Sequence, residues 1–198
     1  MKNTTKLFSL GDLYVSDFIN VDSDARAGKH DMTLVIDERY GAARLDKCTP
    51  IHSMFGKYWY RSGTNLTMTN ELNSIVNSVT SVHKLKDNDL VIDIAGNDGT
   101  FLGFFPSNLK LVSIDPTSKK FSKYFKSHVD YIAEFFSENI VKSHFQNQKA
   151  KLVTSFSMFY DLEDPCQFAK EINNELVEKK YEDLLEQQLN KTQEIIEN

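Results

Sequence analysis

Apolar and polar residues along this chain change their rhythm three times. Residues 1–65 hold short apolar runs, Leu7–Leu10, Leu13–Phe18 and Met32–Ile36, separated by polar turns that carry Gly or Asp. That texture predicts small strands and loops. From Met68 to about Leu85 the apolar residues Met68, Leu72, Ile75, Val76, Val79 and Val82 recur at steps of three and four. This is one face of an amphipathic helix. Its β-branched members lower intrinsic helix propensity, so burial must hold it.

The next section alternates short, continuous apolar runs with helical stretches. Asp89–Ala95 reads as a strand covered on both faces, followed by Gly96-Asn-Asp-Gly99 and a short helix from Thr100 that Pro106 stops. Leu109–Ile114 reads as a second strand closed by Asp115-Pro116, Ser118–Ser127 as a short helix and Val129–Ala133 as a third strand. Phe135–Phe145 reads as a helix and Lys151–Phe156 as a fourth strand. Strands alternating with helices predict βαβ units and a parallel sheet. From Pro165 onward helical spacing dominates, with Pro165 in a first turn, Asp164 as its cap, and no later Gly or Pro. The fold class expected is therefore α/β: a partial Rossmann-like parallel sheet of about four strands, a small irregular N-terminal module and a helical C-terminal tail. The expected divisions are 1–65, 66–178 and 179–198.

Composition narrows the function classes. A net charge of -5 argues against nonspecific nucleic-acid binding, which needs a basic footprint. The chain lacks an apolar run of about 18 residues, so no membrane span is expected. The apolar stretch after Met1 is too short for a signal peptide. The two cysteines, Cys48 and Cys166, lie far apart and are read as free thiols of a cytoplasmic protein.

The chemistry concentrates in Val91-Ile-Asp-Ile-Ala-Gly-Asn-Asp-Gly-Thr100. Gly96 and Gly99 allow a ligand to approach the backbone closely where a parallel strand ends. Asp93 sits where a carboxylate receives a ligand ammonium. Asp115 comes 22 residues later, at the end of the next strand, where an acid accepts hydrogen bonds from ribose hydroxyls. The loop lacks a complete G-x-G-x-x-G and any Lys-Ser/Thr ending, which disfavours phosphate-cradling sites. The bland alternative is a tight turn at Gly96–Gly99 with Asp115 as a cap.

VIDIAGNDGTFL resembles the glycine-rich loop of class I S-adenosylmethionine-dependent methyltransferases, and more narrowly the IGSNDGT form of C-methyltransferases acting on nucleotide-linked deoxysugars. LFSLGDLYVSDF, FGKYWYRSGTN, SIDPT and SFSMFYDLEDPCQF each resemble a segment of that family in the same order. The resemblance implies an N-terminal zinc-binding module, a Rossmann-like core and a C-terminal domain. It implies that Asp93, Ala95, Gly96, Asn97, Asp98, Gly99 and Asp115 form the cofactor site, that Phe136 flanks the adenine, and that Ser157 and Met158 border the methyl donor. Tyr60 falls in the aromatic segment that contributes an active-site tyrosine in that family, and is the one catalytic candidate.

Three departures accompany the resemblance. Asp37 and Tyr40 stand where one cysteine pair is expected, and the other pair is missing; Cys48, His30 and His52 match no zinc spacing, so zinc is not expected. Ala95 replaces a glycine, which implies weakened cofactor binding. The family's fifth strand, Glu-His base region and sugar-binding domain have no counterpart, so the chain reads as shortened, and C-methylation normally needs such a base. His128 and His144 are read as surface or satisfied residues. Asp161, Glu163 and Asp164 are read as a solvated loop. Tyr58, Trp59 and Tyr60 serve equally well as a stacking platform or as core packing.

The expected function is S-adenosylmethionine binding, with methyl transfer to a small, sugar-nucleotide-like acceptor where catalysis is retained. The alternatives are a non-catalytic remnant, or half of a split enzyme, acting as a cofactor- or partner-binding module. The apolar stripe of the C-terminal helix suggests that it covers a sheet edge, or pairs with a copy of itself or a partner chain.

Overall fold

The computed structural model describes residues 4–14, 28–56, 58–146 and 148–175. The first three strands, β1 (Thr4–Tyr14), β2 (Lys29–Asp37) and β3 (Ala42–Leu45), form an antiparallel sheet in the order β1-β2-β3. Of the positions matched to one cysteine pair, Asp37 ends β2 and Tyr40 lies in the turn to β3. Asp37 binds the Arg44 guanidinium at 3.3 Å and receives the Arg39 amide, while the Tyr40 ring lies under Arg39. Among the described residues no cluster of three or more His, Cys, Asp or Glu side chains is placed to hold a metal ion. Cys48 and Cys166 are both free and exposed.

After the short helix α1 (Ile51–Phe55), α2 (Leu66–Val82) carries the amphipathic pattern. It starts two residues before the first periodic apolar position because Asn65 caps it: the Asn65 Oδ1 accepts the amides of Thr67 and Met68 at 2.8 and 3.2 Å. Leu72 and Val76 form the buried stripe.

The strands β4 (Leu90–Ile94), β5 (Lys110–Ile114), β6 (Val129–Ile132) and β7 (Leu152–Ser155) make an all-parallel sheet in the order β6-β5-β4-β7. The α/β class and the four parallel strands are those read from the sequence. In β4 every residue is buried, and its alternation feeds two separate cores. Val91 packs with Leu72, Val76, Leu102 and Leu111 beneath α2. Leu90, Ile92 and Ile94 pack with Val112, Ile114 and Val141 on the other face, joined by Phe168 and Ile172. The second face is covered by α4 (Glu138–Phe145) and α5 (Pro165–Glu175), giving helix, sheet and helix layers.

Three helical segments are shorter than their sequence pattern. The stretch after Thr100 forms a single 3₁₀ turn at Leu102–Phe104, and the region from Ser118 divides into α3 (Ser118–Phe121) and a 3₁₀ turn at Ser122–Tyr124. In both, buried aromatics (Phe101, Phe105, Phe121) hold the backbone against the sheet and take precedence over helical continuity. The segment expected from Phe135 starts at Glu138, because Ser137 caps Ile140 while Phe135 and Phe136 turn toward a cavity. Asp164 accepts the Gln167 amide at 2.9 Å and so caps α5. The proposed tail 179–198, its pairing and its edge coverage lie outside the described residues.

Leu102 is fully buried between α2, β4 and β5. Leu102→Ala is expected to lower the unfolding free energy by about 2–5 kcal/mol in urea denaturation, with little change in the slope of the transition.

Candidate functional site

In the order β6-β5-β4-β7 the chain moves outward from β4 through β5 to β6 and then returns to the opposite side of β4. That reversal opens a crevice at the carboxyl ends of the strands, where ligands of open parallel sheets bind. A cavity of about 310 Å³ lies there, within the range of small-molecule sites. Asp93, Ala95, Gly96 and Asn97 line it from β4, Asp115 from β5, Ser157 and Met158 from β7, with Phe136 and Tyr60 completing the wall. Asp98 and Gly99 do not line it.

The loop after β4 is wound tightly. Ala95, Asn97 and Gly99 all have positive φ, at 59°, 55° and 72°, and Ser157 across the crevice has 54°. Asn tolerates this region and Gly prefers it, whereas Ala pays a steric cost between its Cβ and backbone oxygen. A Cβ on Gly96 would fall 2.6 Å from the Ser113 Oγ and 2.8 Å from the Asp93 Oδ2, so only glycine fits against those two side chains.

Asp93 is 2% exposed. Its Oδ1 accepts a hydrogen bond from the Thr154 hydroxyl at 2.7 Å, a pairing dictated by the β4–β7 register that sets Asp93 opposite Thr154. The Asp93 Oδ2 has no hydrogen-bond donor among the described residues. Burial pushes the Asp93 carboxyl up to about 7, opposed by the Thr154 hydrogen bond and assisted by the negative charge of Asp115.

Asp115, also buried, is more heavily engaged. Its Oδ1 receives both the amide and the hydroxyl of Thr117 at 2.6 Å, and its Oδ2 receives the Asn97 amide at 3.0 Å. A carboxylate has about four lone-pair positions, so one acceptor position on Oδ2 is left for a ligand hydroxyl. Grasping two hydroxyls requires that a Thr117 bond be exchanged.

Asp98 serves a different purpose. Fully buried, it accepts the Arg61 guanidinium at 2.9 Å and the Gly63 amide at 3.0 Å through Oδ2, and the Thr100 amide at 3.1 Å through Oδ1. Asn97 repeats the pattern: its side-chain oxygen accepts the Ser62 amide and its NH₂ donates to the Tyr60 carbonyl, both at 3.0 Å. The Arg61 guanidinium also lies 3.9 Å over the Tyr124 ring. Two adjacent side chains of the glycine-rich loop thus clasp residues 60–63 and carry Tyr58 and Tyr60 over the cavity. Phe125 fills the space a side chain at Gly99 would need, since a Cβ there would meet the ring at 2.6 Å.

Phe136 sits in the wall with its ring 5.4 Å from that of Phe168. Of the aromatic trio, Tyr58 and Tyr60 face the cavity, while Trp59 is 41% exposed beside them. Asp161 is solvent-exposed, as a solvated loop predicts, and it also lines the open end of the cavity from the 3₁₀ turn Phe159–Asp161. Glu163 and Asp164 stay outside it, and neither His128 nor His144 lines it.

No protein-family model matches the chain, and no curated protein is significantly similar to it. The geometry alone describes the site.

Sequence reasoning missed Arg61, Thr154 and Thr117. Thr154 is recoverable once the fourth strand is set parallel to the first in register. Arg61 and Asp98, 37 residues apart, share no local pattern.

Arg61→Ala leaves Asp98 buried with only its amide partners. It is expected to cost about 2–3 kcal/mol of stability and to red-shift the emission of Trp59, the only tryptophan, as residues 60–63 loosen. The raised Asp93 pKa makes the native state hold a proton that the unfolded chain has released. Stability therefore falls as pH rises from about 4 to about 7. Asp93→Asn is expected to remove that decline, measured as the difference in urea midpoint between pH 5 and pH 8 (each about one unit from a transition edge).

Proposed function

We propose that this chain binds S-adenosylmethionine at the carboxyl ends of β4, β5 and β7 and acts as a methyltransferase-type protein toward a small-molecule acceptor. One observation carries the reading: the Asp93 carboxylate, buried in the wall of a largely apolar cavity, keeps one oxygen without a donor, and Asp115 stands at the end of the next strand. An ammonium and a ribose hydroxyl are the partners that such a pair accommodates. The resemblance of VIDIAGNDGTFL and SIDPT to the corresponding methyltransferase segments supports the same assignment.

In this reading Asp93 holds the ammonium through Oδ2, with Thr154 fixing the carboxylate from the other side. Asp115 takes a ribose hydroxyl, kept in place by Thr117 and the Asn97 amide. Phe136 and Met158 supply apolar contact for the base and the thioether side of the ligand. When bound, the ligand supplies an electrophilic methyl group, and the protein contributes chiefly by placing the acceptor in line with it. Tyr60, held over the cavity by Asn97, is the residue positioned to touch the acceptor. A cytoplasmic setting, with neither zinc nor nucleic acid involved, belongs to the same proposal. No described helix is long and apolar enough to cross a membrane.

The test is calorimetric titration of the folded chain with S-adenosylmethionine and S-adenosylhomocysteine, alongside Asp115→Ala. Binding in the micromolar range that Asp115→Ala weakens at least about a hundredfold is expected, the loss of a buried charged acceptor being worth about 3 kcal/mol. Affinity is also expected to rise between pH 6 and pH 8 (bracketing the raised Asp93 pKa of about 7), because the ammonium is held by the deprotonated carboxyl. No heat at millimolar ligand overturns the reading.

A further inference from the structure

The charges around the cavity bear on what its acceptor is. Three carboxylates line it, Asp93, Asp115 and Asp161, and no Lys, Arg or His does so among the described residues. Two cations bonded to segments of the cavity wall are already engaged. Arg61 is bound to Asp98 and lies over Tyr124. The Lys120 ammonium donates to the Tyr58 carbonyl at 2.9 Å and lies over the Phe121 ring. A nucleotide-linked sugar brings a diphosphate, and a phosphate group wants Arg, Lys or a row of free amides. This lining offers it carboxylates instead, and like charges at close range are costly in a partly desolvated site.

The outer part of the cavity has a different chemistry. Tyr58 and Tyr60 have ring centroids 6.3 Å apart, and Tyr160 and Asp161 stand beside them at the rim. Tyr160 is 76% exposed, which marks this as the open end. Phe55 packs edge-on against Tyr58 at 5.6 Å and closes the back of the group. Burial raises the pKa of the Tyr58 hydroxyl, and the negative charges that Tyr160, Tyr60 and Asp161 can carry raise it further, so all three act on the same small volume. Aromatic faces with a carboxylate beside them form the arrangement that holds organic ammonium ions, by cation–π attraction and charge pairing.

We propose that the outer half of this cavity, formed by Tyr58, Tyr60, Tyr160 and Asp161, recognises an organic ammonium group on the acceptor, and that nucleotide-linked sugars are excluded. The inference rests on the methyl-donor reading for the inner half, where Asp93 and Asp115 lie. It departs from the sugar-nucleotide acceptor that the sequence resemblance implies.

The experiment titrates the full chain with choline, with its neutral carbon isostere, and with uridine diphosphate glucose. Each is added alone and in the presence of saturating S-adenosylhomocysteine, following heat and Trp59 emission. Choline is expected to bind with and without S-adenosylhomocysteine, and about tenfold more tightly than the isostere. Uridine diphosphate glucose is expected not to bind. Asp161→Asn and Tyr160→Ala, both at the exposed rim where folding is insensitive to them, are each expected to weaken choline about tenfold while leaving S-adenosylhomocysteine affinity unchanged. Binding of uridine diphosphate glucose, equal affinity for choline and its isostere, or displacement of choline by S-adenosylhomocysteine overturns the proposal. A chain that binds S-adenosylhomocysteine but not choline refutes the ammonium site and leaves the methyl-donor reading standing. A chain that binds choline through Asp161 but no S-adenosylhomocysteine refutes the methyl-donor reading and leaves an ammonium site without a donor.

Discussion

The site depends on the clasp between two loops, formed by Asn97 and Asp98 on one side and residues 60–63 on the other. Asp98 is a fully buried carboxylate, and such a charge persists only when its lone pairs are occupied. Arg61 and the amides of Gly63 and Thr100 occupy them. Because the Arg61 guanidinium is a planar fork that also stacks on Tyr124, it fixes direction as well as charge. Together with the Asn97 bonds to Ser62 and Tyr60, this contact holds the wall that carries Tyr58 and Tyr60.

The same loop serves two purposes through successive residues. Ala95, Gly96 and Asn97 present backbone to the cavity, while Asp98 and Gly99 point into the protein. Positive φ at 95, 97 and 99 winds the loop tightly, so that its two halves meet different surroundings. The strain at Ala95 is tolerated because the sheet bond from its amide to the Ile114 carbonyl, at 2.9 Å, and the clasp beyond it leave the backbone no other path. Loop conformation, charge pairing and cavity shape are therefore one coupled system.

The two buried carboxylates of the cavity, Asp93 and Asp115, differ in how many donors surround them. Asp115 receives three donors, and Asp93 one. Burial raises the pKa of Asp93, and a cationic ligand at its open oxygen would offset that cost.

Much of this was legible in the chain itself. Continuous apolar runs at Asp89–Ala95 and Leu109–Ile114, punctuated by Gly96, Gly99 and Pro116, were enough to indicate a parallel sheet with a ligand loop at its end, because both signals are local in sequence. Asn65 and Asp164 were legible as caps for the same reason, although only Asp164 was read as one. The roles of Asp98 and Asp161 were not. Asp98 acquires its partner from 37 residues upstream, and Asp161 lines the cavity from the 3₁₀ turn that follows β7. The sequence by itself determined which residue types stand at the strand ends. Only the tertiary structure decided which of them face the cavity and which hold it together, because that choice depends on strand order and loop-to-loop hydrogen bonds that no local pattern encodes.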